Sequence, residues 1–294
     1  MGSGDVLVLG EALVDIVETD GGVSEHVGGS PANVAVGVAR LGARATLATR
    51  LGRDARGERI AEHVRASGAE ITDASWTDAP TDTAHARIRA DGSAVYDFSV
   101  AGLVPPASDH AAGLVHTGSI ALFLDPGGET CLAALEAARG RSIVTVDPNI
   151  RPALVGERDT ALDRFARAAA AADLVKLSDE DAAWLWPETA LTDVLATIAA
   201  LGPRAVVVTR GGDGAIGRAA DGTIVEVAGV PVEVADTIGA GDSFMASLIA
   251  TLVERGVPHD APALEHAMTV AARAAAITVS RPGANPPTLA ELAA

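Results

Sequence analysis

The sequence predicts an α/β protein in three layers: a mostly parallel central sheet, helices on both of its faces, and a small β lid. Three observations carry that reading. Unbroken apolar runs of strand length recur along the chain, and Ala-rich stretches with helical spacing fall between most of them. One segment departs from this rhythm, with two-residue alternation on both sides of a turn dipeptide.

The apolar runs are DVLVLG at 5–10, ATLATR at 45–50, LVHTGS at 114–119, IVTVD at 143–147, DLVKLS at 173–178 and AVVVT at 205–209. Strands buried on both faces read this way, without polar alternation. The helical stretches are Pro31–Leu41, Ala55–Ala66, Glu129–Arg139 and Thr160–Ala172. A long helix pattern over 262–280 ends before RPGANPP, where Gly283 and three prolines stop it. The departing segment is 84–100, AHARIRADGSAVYDFSV, centred on Asp91-Gly92, a dipeptide favoured in tight hairpins. Such a hairpin sits beside a parallel sheet more easily than within it. A flap that closes on a ligand and a plain surface hairpin fit the pattern equally. No repeat or linker divides the chain, so residues 1–294 are expected to form one domain.

Hydrophobic residues make up 48% and charged residues 21%, enough for a sizeable core, and with aromatics at 3% that core must rest on Val, Leu, Ile and Ala. The net charge of −17 and the absence of any Lys/Arg-rich run argue against nucleic-acid and membrane partners, while leaving room for a local site for one small phosphate ligand. Cys131 is alone and has no activating neighbour, and no Cys/His cluster has zinc spacing. The apolar start is interrupted by Glu11 and Asp15, which supports neither a signal peptide nor a membrane span and leaves a cytoplasmic enzyme as the expectation. His85 and His116 read as packed or solvent-facing, and Trp184 and Trp186 as helix packing.

The chemistry concentrates in VADTIGAGDSFMASLIATLVERG, residues 234–256. Phe244, Met245, Leu248, Ile249, Leu252 and Val253 form one helical face, so a helix begins near Gly241. Its first N–H groups lack partners and its dipole favours anions, while Gly239 and Gly241 remove the side chains that would block close approach. Asp242 then stands in the first turn. A capping carboxylate is one reading; the Gly-Ala-Gly run before it favours a general base beside a bound phosphate. A Walker motif is absent. The G-x-G-x-x-G of Gly212, Gly214 and Gly217 fails as a dinucleotide fingerprint, because the strand-like GTIVEV follows where a helix should open. Near the other end, HVGGSPANVAVGVARLG places Gly28-Gly29 in a turn and Pro31 at a helix start. Asn33 in the first turn and Asp15 after the first strand are polar groups suited to a sugar hydroxyl, although each alone also fits a turn or cap.

Taken together, GGSPANVAVGVARLG and DTIGAGDSF resemble the two signatures of the ribokinase-like (PfkB) family of carbohydrate kinases, in the expected order and covering nearly the whole chain. GEALVDIV, HTGSIAL, VDPNIRP, VKLSDED and VTRGGDGAI are similar to the bacterial fructokinase branch, and Ser247 stands where the family usually has glycine. The resemblance implies a ribokinase-like fold with its lid mainly around 12–27 and 84–100. It also implies transfer of the ATP γ-phosphoryl group to a sugar hydroxyl, with fructose as the leading acceptor. Acceptors such as 2-keto-3-deoxygluconate, ribose or a nucleoside are the alternatives within the class; a catalytically silent sugar- or nucleotide-binding regulator is the alternative outside it.

Carried over to this chain, the resemblance makes Asp242 the base, the amides of Gly239, Ala240 and Gly241 the anion hole, and Arg151 the charge that balances the transferred phosphate. Asp15, Gly28, Gly29, Asn33 and Asn149 would hold the sugar, and Lys176, Ser178, Thr209, Gly211, Gly212 and Gly214 would lie along the nucleotide. The family's N-x-x-E element falls on Ser178-Asp179-Glu180-Asp181, so Glu180 or Asp181 would organise Mg²⁺ through water. A K⁺ site would use Asp236, the carbonyl of Ile238, and groups around Ser280 and Gly283. Relatives often pair through the lid, which makes Val95 and Phe98 candidates for a homodimer contact.

Overall fold

The computed structural model describes residues 4–19, 21–88, 94–107 and 112–294. The expected Asp91-Gly92 turn and the side chain of Val95 lie outside the described residues.

The chain opens with β1 (Asp5–Leu9), β2 (Leu13–Thr19), β3 (Gly22–Gly28), α1 (Ser30–Arg40), β4 (Arg44–Ala48), β5 (Leu51–Gly52) and α2 (Ala55–Ala66). After β6 (Glu70–Ile71) and β7 (Trp76–Thr77) come β8 (Thr83–Ile88), β9 (Ala94–Ser99), β10 (Leu114–Gly118), α3 (Ser119–Phe123), α4 (Gly127–Ala138) and β11 (Ile143–Asp147). Next are α5 (Pro152–Val155), α6 (Arg158–Ala171), β12 (Leu174–Ser178), α7 (Asp179–Leu185), α8 (Leu191–Leu201) and β13 (Ala205–Thr209). The chain ends with β14 (Ala215–Arg218), β15 (Ile224–Val227), α9 (Ala240–Arg255), α10 (Ala261–Val279) and α11 (Leu289–Ala293).

Among the described residues a nine-stranded sheet runs in the order β15-β14-β13-β12-β11-β10-β1-β4-β6. Pairing is parallel from β6 through β13 and antiparallel only at the β13–β14–β15 edge. Successive residues of a strand point to opposite faces, and both faces are covered. Val6 and Val8 of β1 join Val34, Ile60, Leu248 and Leu264 of α1, α2, α9 and α10. Leu7 and Leu9 join Leu132, Phe165 and Leu195 of α4, α6 and α8. This is why the strands read as continuous apolar runs. The expected helices are present with ends shifted by one or two residues. Helix α8 had no counterpart among them, since the Thr, Val and Ile of LTDVLATIAAL blur helical spacing in the sequence.

A separate four-stranded sheet has the order β3-β2-β8-β9, with β2 and β8 parallel and the two outer pairs antiparallel. Its root is held by Asp82. The Asp82 carbonyl accepts from Val14 N–H (3.1 Å), and its carboxylate takes the Ala101 N–H (3.3 Å) and the guanidinium of buried Arg50. One residue thus ties together β2, the start of β8 and the exit from β9.

Helices α1 and α9 pack side by side although they come from opposite ends of the chain. A Cβ placed on Gly37 would lie 2.6 Å from the Ala246 Cβ, so only glycine permits this spacing. For Gly37→Ala, overpacking of about 1–3 kcal/mol is expected to outweigh the gain of up to about 1 kcal/mol that alanine brings to a helix interior. The urea midpoint should therefore fall. An unchanged or higher midpoint would show that the seam between the helices yields.

Candidate active site

The order of the sheet reverses between β1 and its neighbours β10 and β4, and an open α/β sheet forms its ligand crevice beyond the carboxyl ends of the strands at such a point. A cleft of about 1100 Å³ lies there. Glu11 reaches it from beyond β1, Ser119 from β10, Asn149 and Arg151 from β11, Ser178 to Asp181 from β12, and Thr209, Gly211, Gly212 and Gly214 from β13. The second sheet contributes Asp15, Ala84 and Phe98 to the same wall.

The N-terminus of α9 opens onto this cleft. Gly239 is the N-cap, at φ 77°, and no side chain caps the helix. A Cβ at Gly239 would press on Ala284 at 2.7 Å, and one at Gly241 would stand 3.1 Å from Lys176 Nζ. The Ala240 N–H donates to Thr237 O at 3.3 Å. Among the described residues, the Gly239, Gly241 and Asp242 N–H groups have no protein acceptor.

Asp242 lines the cleft and is 9% exposed. Its Oδ1 accepts from Ser30 Oγ at 2.6 Å and its Oδ2 from Asn33 Nδ2 at 2.8 Å. Both donors sit in the first turn of α1, so the α1–α9 seam fixes the carboxylate. Asn33, expected to meet a sugar hydroxyl, therefore has one amide hydrogen committed to Asp242.

Beneath the cup lies a buried ion pair. Lys176 Nζ donates to Asp147 Oδ2 at 2.9 Å, and the lysine is 3% exposed. Burial works against its ammonium, but Asp147, Asp181 and Asp242 outweigh burial and hold its pKa above the ordinary lysine value. Burial pushes the Asp147 carboxyl up to about 6, against the attraction of Lys176. Its Oδ1 is buried and has no partner among the described residues. His116 is fully enclosed beside Thr145; burial drives its pKa down to about 3, so it stays neutral and is a packed residue.

The remaining expected residues fall into groups. Asp15, Gly29, Asn33, Asn149, Arg151, Lys176, Ser178, Thr209, Gly211, Gly212, Gly214, Glu180, Asp181 and Ile238 all line the cleft. Gly28 lies just behind it, where any Cβ would overlap the Asp15 carboxylate. Arg151 Nη1 donates to Asn149 Oδ1 at 2.6 Å, with Asn149 at φ 39°, a conformation Asn tolerates better than most residues. Asp181 closes a capping box: its Oδ2 takes the Ser178 N–H (2.9 Å) and its Oδ1 the Ile150 N–H (2.7 Å). Each oxygen thus accepts one N–H, while Glu180 is exposed on the cleft. Asp236, Ser280 and Gly283 stand outside the lining but close to one another. Asp236 accepts from Ile238 N–H (3.0 Å) and Gly283 N–H (2.9 Å), and Ser280 Oγ donates to Ile277 O (2.8 Å).

Sequence reasoning missed Glu11, Ser30 and Asp147. A charge directly after an apolar strand was a signal for Glu11; nothing local marked the hydroxyl of Ser30. For Lys176 a compositional signal existed: of 22 Lys and Arg residues it is the one lysine.

Residues 3–291 match the pfkB family of carbohydrate kinases. A fructokinase of Klebsiella pneumoniae is 34% identical, over 96% of this chain and 95% of its own. Aminoimidazole riboside kinase from Salmonella enterica, solved with aminoimidazole riboside and an ATP analogue, superposes with a TM-score of 0.83 at 27% identity over 98% of both chains. A double-mutant fructokinase from Vibrio cholerae O395, solved with fructose, ADP and potassium ion bound, superposes at 0.82 and 25% identity over 98% of this chain and 97% of its own. Fold and cleft together are those of a phosphotransferase whose acceptor is an alcohol. The chain belongs to the pfkB family of carbohydrate kinases.

Glu11 yields a test of the cleft floor. Burial pushes its carboxyl up to about 7, with the charge of Asp242 adding to the push and Ser119 and the Ala121 N–H (3.1 Å) opposing it. Between an unfolded value of 4.5 and a folded one of about 7, the folded state binds more protons, so Glu11 costs stability as pH rises through that window. Relative to Glu11→Gln, the wild type should lose up to about 3 kcal/mol of unfolding free energy between pH 4.5 and pH 7.5. Urea unfolding of both proteins across that range reads the difference; parallel pH profiles would show that the carboxyl is not buried as described.

Proposed function

We propose that this chain transfers the γ-phosphoryl group of ATP to a hydroxyl of fructose, with Asp242 as the general base. The observation that carries the reading is the carboxylate of Asp242 held at the mouth of the α9 amide cup and facing the cleft. The name shared by the Klebsiella relative and the Vibrio structure supports fructose as acceptor. The Salmonella structure supports a riboside as the second acceptor to test.

In this mechanism Asp15, Gly29, Asn33 and Asn149 hold the sugar between the two sheets, with Gly28 keeping Asp15 in place. The nucleotide lies along Lys176, Ser178, Thr209, Gly211, Gly212 and Gly214. The acceptor hydroxyl gives its proton to Asp242 as its oxygen attacks the γ-phosphorus and ADP leaves. Charge on the moving group meets the amides at the start of α9 and the Arg151 guanidinium. The second sheet, through Ala84 and Phe98, covers the sugar and excludes water that would otherwise take the phosphoryl group. Magnesium fits the donors present: Glu180 and the unpartnered Asp147 Oδ1 have acceptor capacity free, whereas Asp181 serves chiefly to shape the turn. Bound there through water, the ion would offset phosphate charge. The loop formed by Asp236, Ile238, Ser280 and Gly283 suits K⁺, and the potassium-bound Vibrio structure supports that assignment. A homodimer through the second sheet belongs to the same reading, with Val23, 64% exposed on β3, among the apolar residues it would cover.

The test is ADP release across a panel of ketoses, aldoses, ketodeoxy acids and ribosides, with fructose expected to give the highest kcat/KM. No release with any of them removes the kinase reading. Asp242→Asn should lower turnover by roughly 10²–10⁴-fold while nucleotide binding is largely kept. Turnover within about threefold of wild type would take Asp242 out of the mechanism.

A further inference from the structure

Ser30 is the first residue of α1, yet its hydroxyl does nothing for that helix. The N-cap is Gly29, which has no side chain to offer, and no side-chain cap is made. Alanine at this position would suit the helix better. The hydroxyl is instead given to Asp242 Oδ1, at 2.6 Å and 212 residues away in sequence, and Ser30 lines the cleft beside that carboxylate.

An ionised carboxylate offers about four lone-pair sites, two on each oxygen. Ser30 and Asn33 take one on each, which pins the side chain and still leaves a site on each oxygen for an incoming hydroxyl. The two anchors are not equivalent. Asn33 is also a proposed sugar contact, so its amide is shared when the acceptor binds; the Ser30 hydroxyl owes nothing to the sugar. The charges around the base make the anchor matter. Glu11 and Asp147 lie near enough for their charges to act against a negative Asp242, and the Lys176 ammonium acts to attract it. Without Ser30, Asn33 alone would hold the carboxylate among these charges.

We propose that Ser30 is a positioning residue for phosphoryl transfer, holding Asp242 in the rotamer that faces the acceptor hydroxyl. The proposal rests on the reading of Asp242 as base. A hydrogen bond to an ionised group is worth roughly ten- to a hundredfold in an equilibrium, so Ser30→Ala should lower kcat with fructose by about tenfold or more. The KM for ATP and the thermal midpoint should stay near wild type, and Ser30→Thr, which returns the hydroxyl, should recover most of the loss. In Ser30→Ala/Asp242→Asn the added loss should vanish, because no charged carboxylate remains to be positioned. The proposal is overturned by any of three results: a kcat for Ser30→Ala within twofold of wild type, a loss that threonine does not restore, or a loss carried by the KM for ATP or by stability rather than kcat. If Asp242→Asn itself turns over normally, it is the base assignment that has failed; an inactive Asp242→Asn beside a normal Ser30→Ala removes only the role of Ser30.

Discussion

Gly37 and Ala246 let α1 and α9 approach more closely than any larger pair would allow, and that approach decides where the first turn of each helix lies. Some of the cleft's polar groups hang from those two turns. One carries Ser30 and Asn33, the other Gly239, Gly241 and Asp242, and the hydrogen bonds between them join residues more than two hundred positions apart. A carboxylate held this way has its geometry set by helix packing, which is stiff, rather than by a loop. The sheet fixes other parts of the site through the carboxyl ends of β1, β10, β11, β12 and β13.

A net charge of −17 looks ill-suited to an anionic nucleotide, and the resolution is one of range. Beyond roughly 10 Å at ordinary ionic strength, exposed charges are largely screened, so the acidic surface is a weak opponent inside the cleft. On the proposed reading, what acts at contact distance is the α9 amide cup, Arg151 and the Lys176 ammonium below Gly241. Lys176 cannot act as a free cation, because Asp147 takes up much of its charge. The pair is better seen as a dipole with its positive end under the cup. That is consistent with a chain rich in arginine keeping its sole lysine here: a compact ammonium fits beneath a glycine, where a planar guanidinium would not.

The layers of the fold were legible because the sheet is buried on both faces, which leaves an unmistakable run of Val, Leu and Ile in each strand. The amide cup was legible for a related reason: Gly239 and Gly241 leave a mark in the sequence wherever backbone must come close to something. Side-chain direction left no such mark. Asp181 was legible only as a metal-organising group, and nothing in the sequence marked the Ser178 and Ile150 N–H groups from which its oxygens accept. Ser30 stands between Gly29 and Pro31 with nothing local to mark it, since its partner is at the far end of the chain. Glu11 was marked by its place after an apolar strand, but its burial was not. A carboxylate beside an apolar run is ordinarily solvated, and its burial follows from Ser119 and Ala121 closing over it, a matter of sheet order that no local pattern states.

Asn33 gives the site a further property. An amide side chain has two donor hydrogens and two acceptor lone pairs, and one hydrogen is spent on Asp242 Oδ2. The others remain for a sugar without any need to break that bond. On the proposed reading, an acceptor that engages Asn33 therefore touches the base through a single shared group. A hydroxyl placed well for Asn33 is by the same geometry within reach of Asp242, and the glycine seam beneath the two helix turns holds that spacing constant.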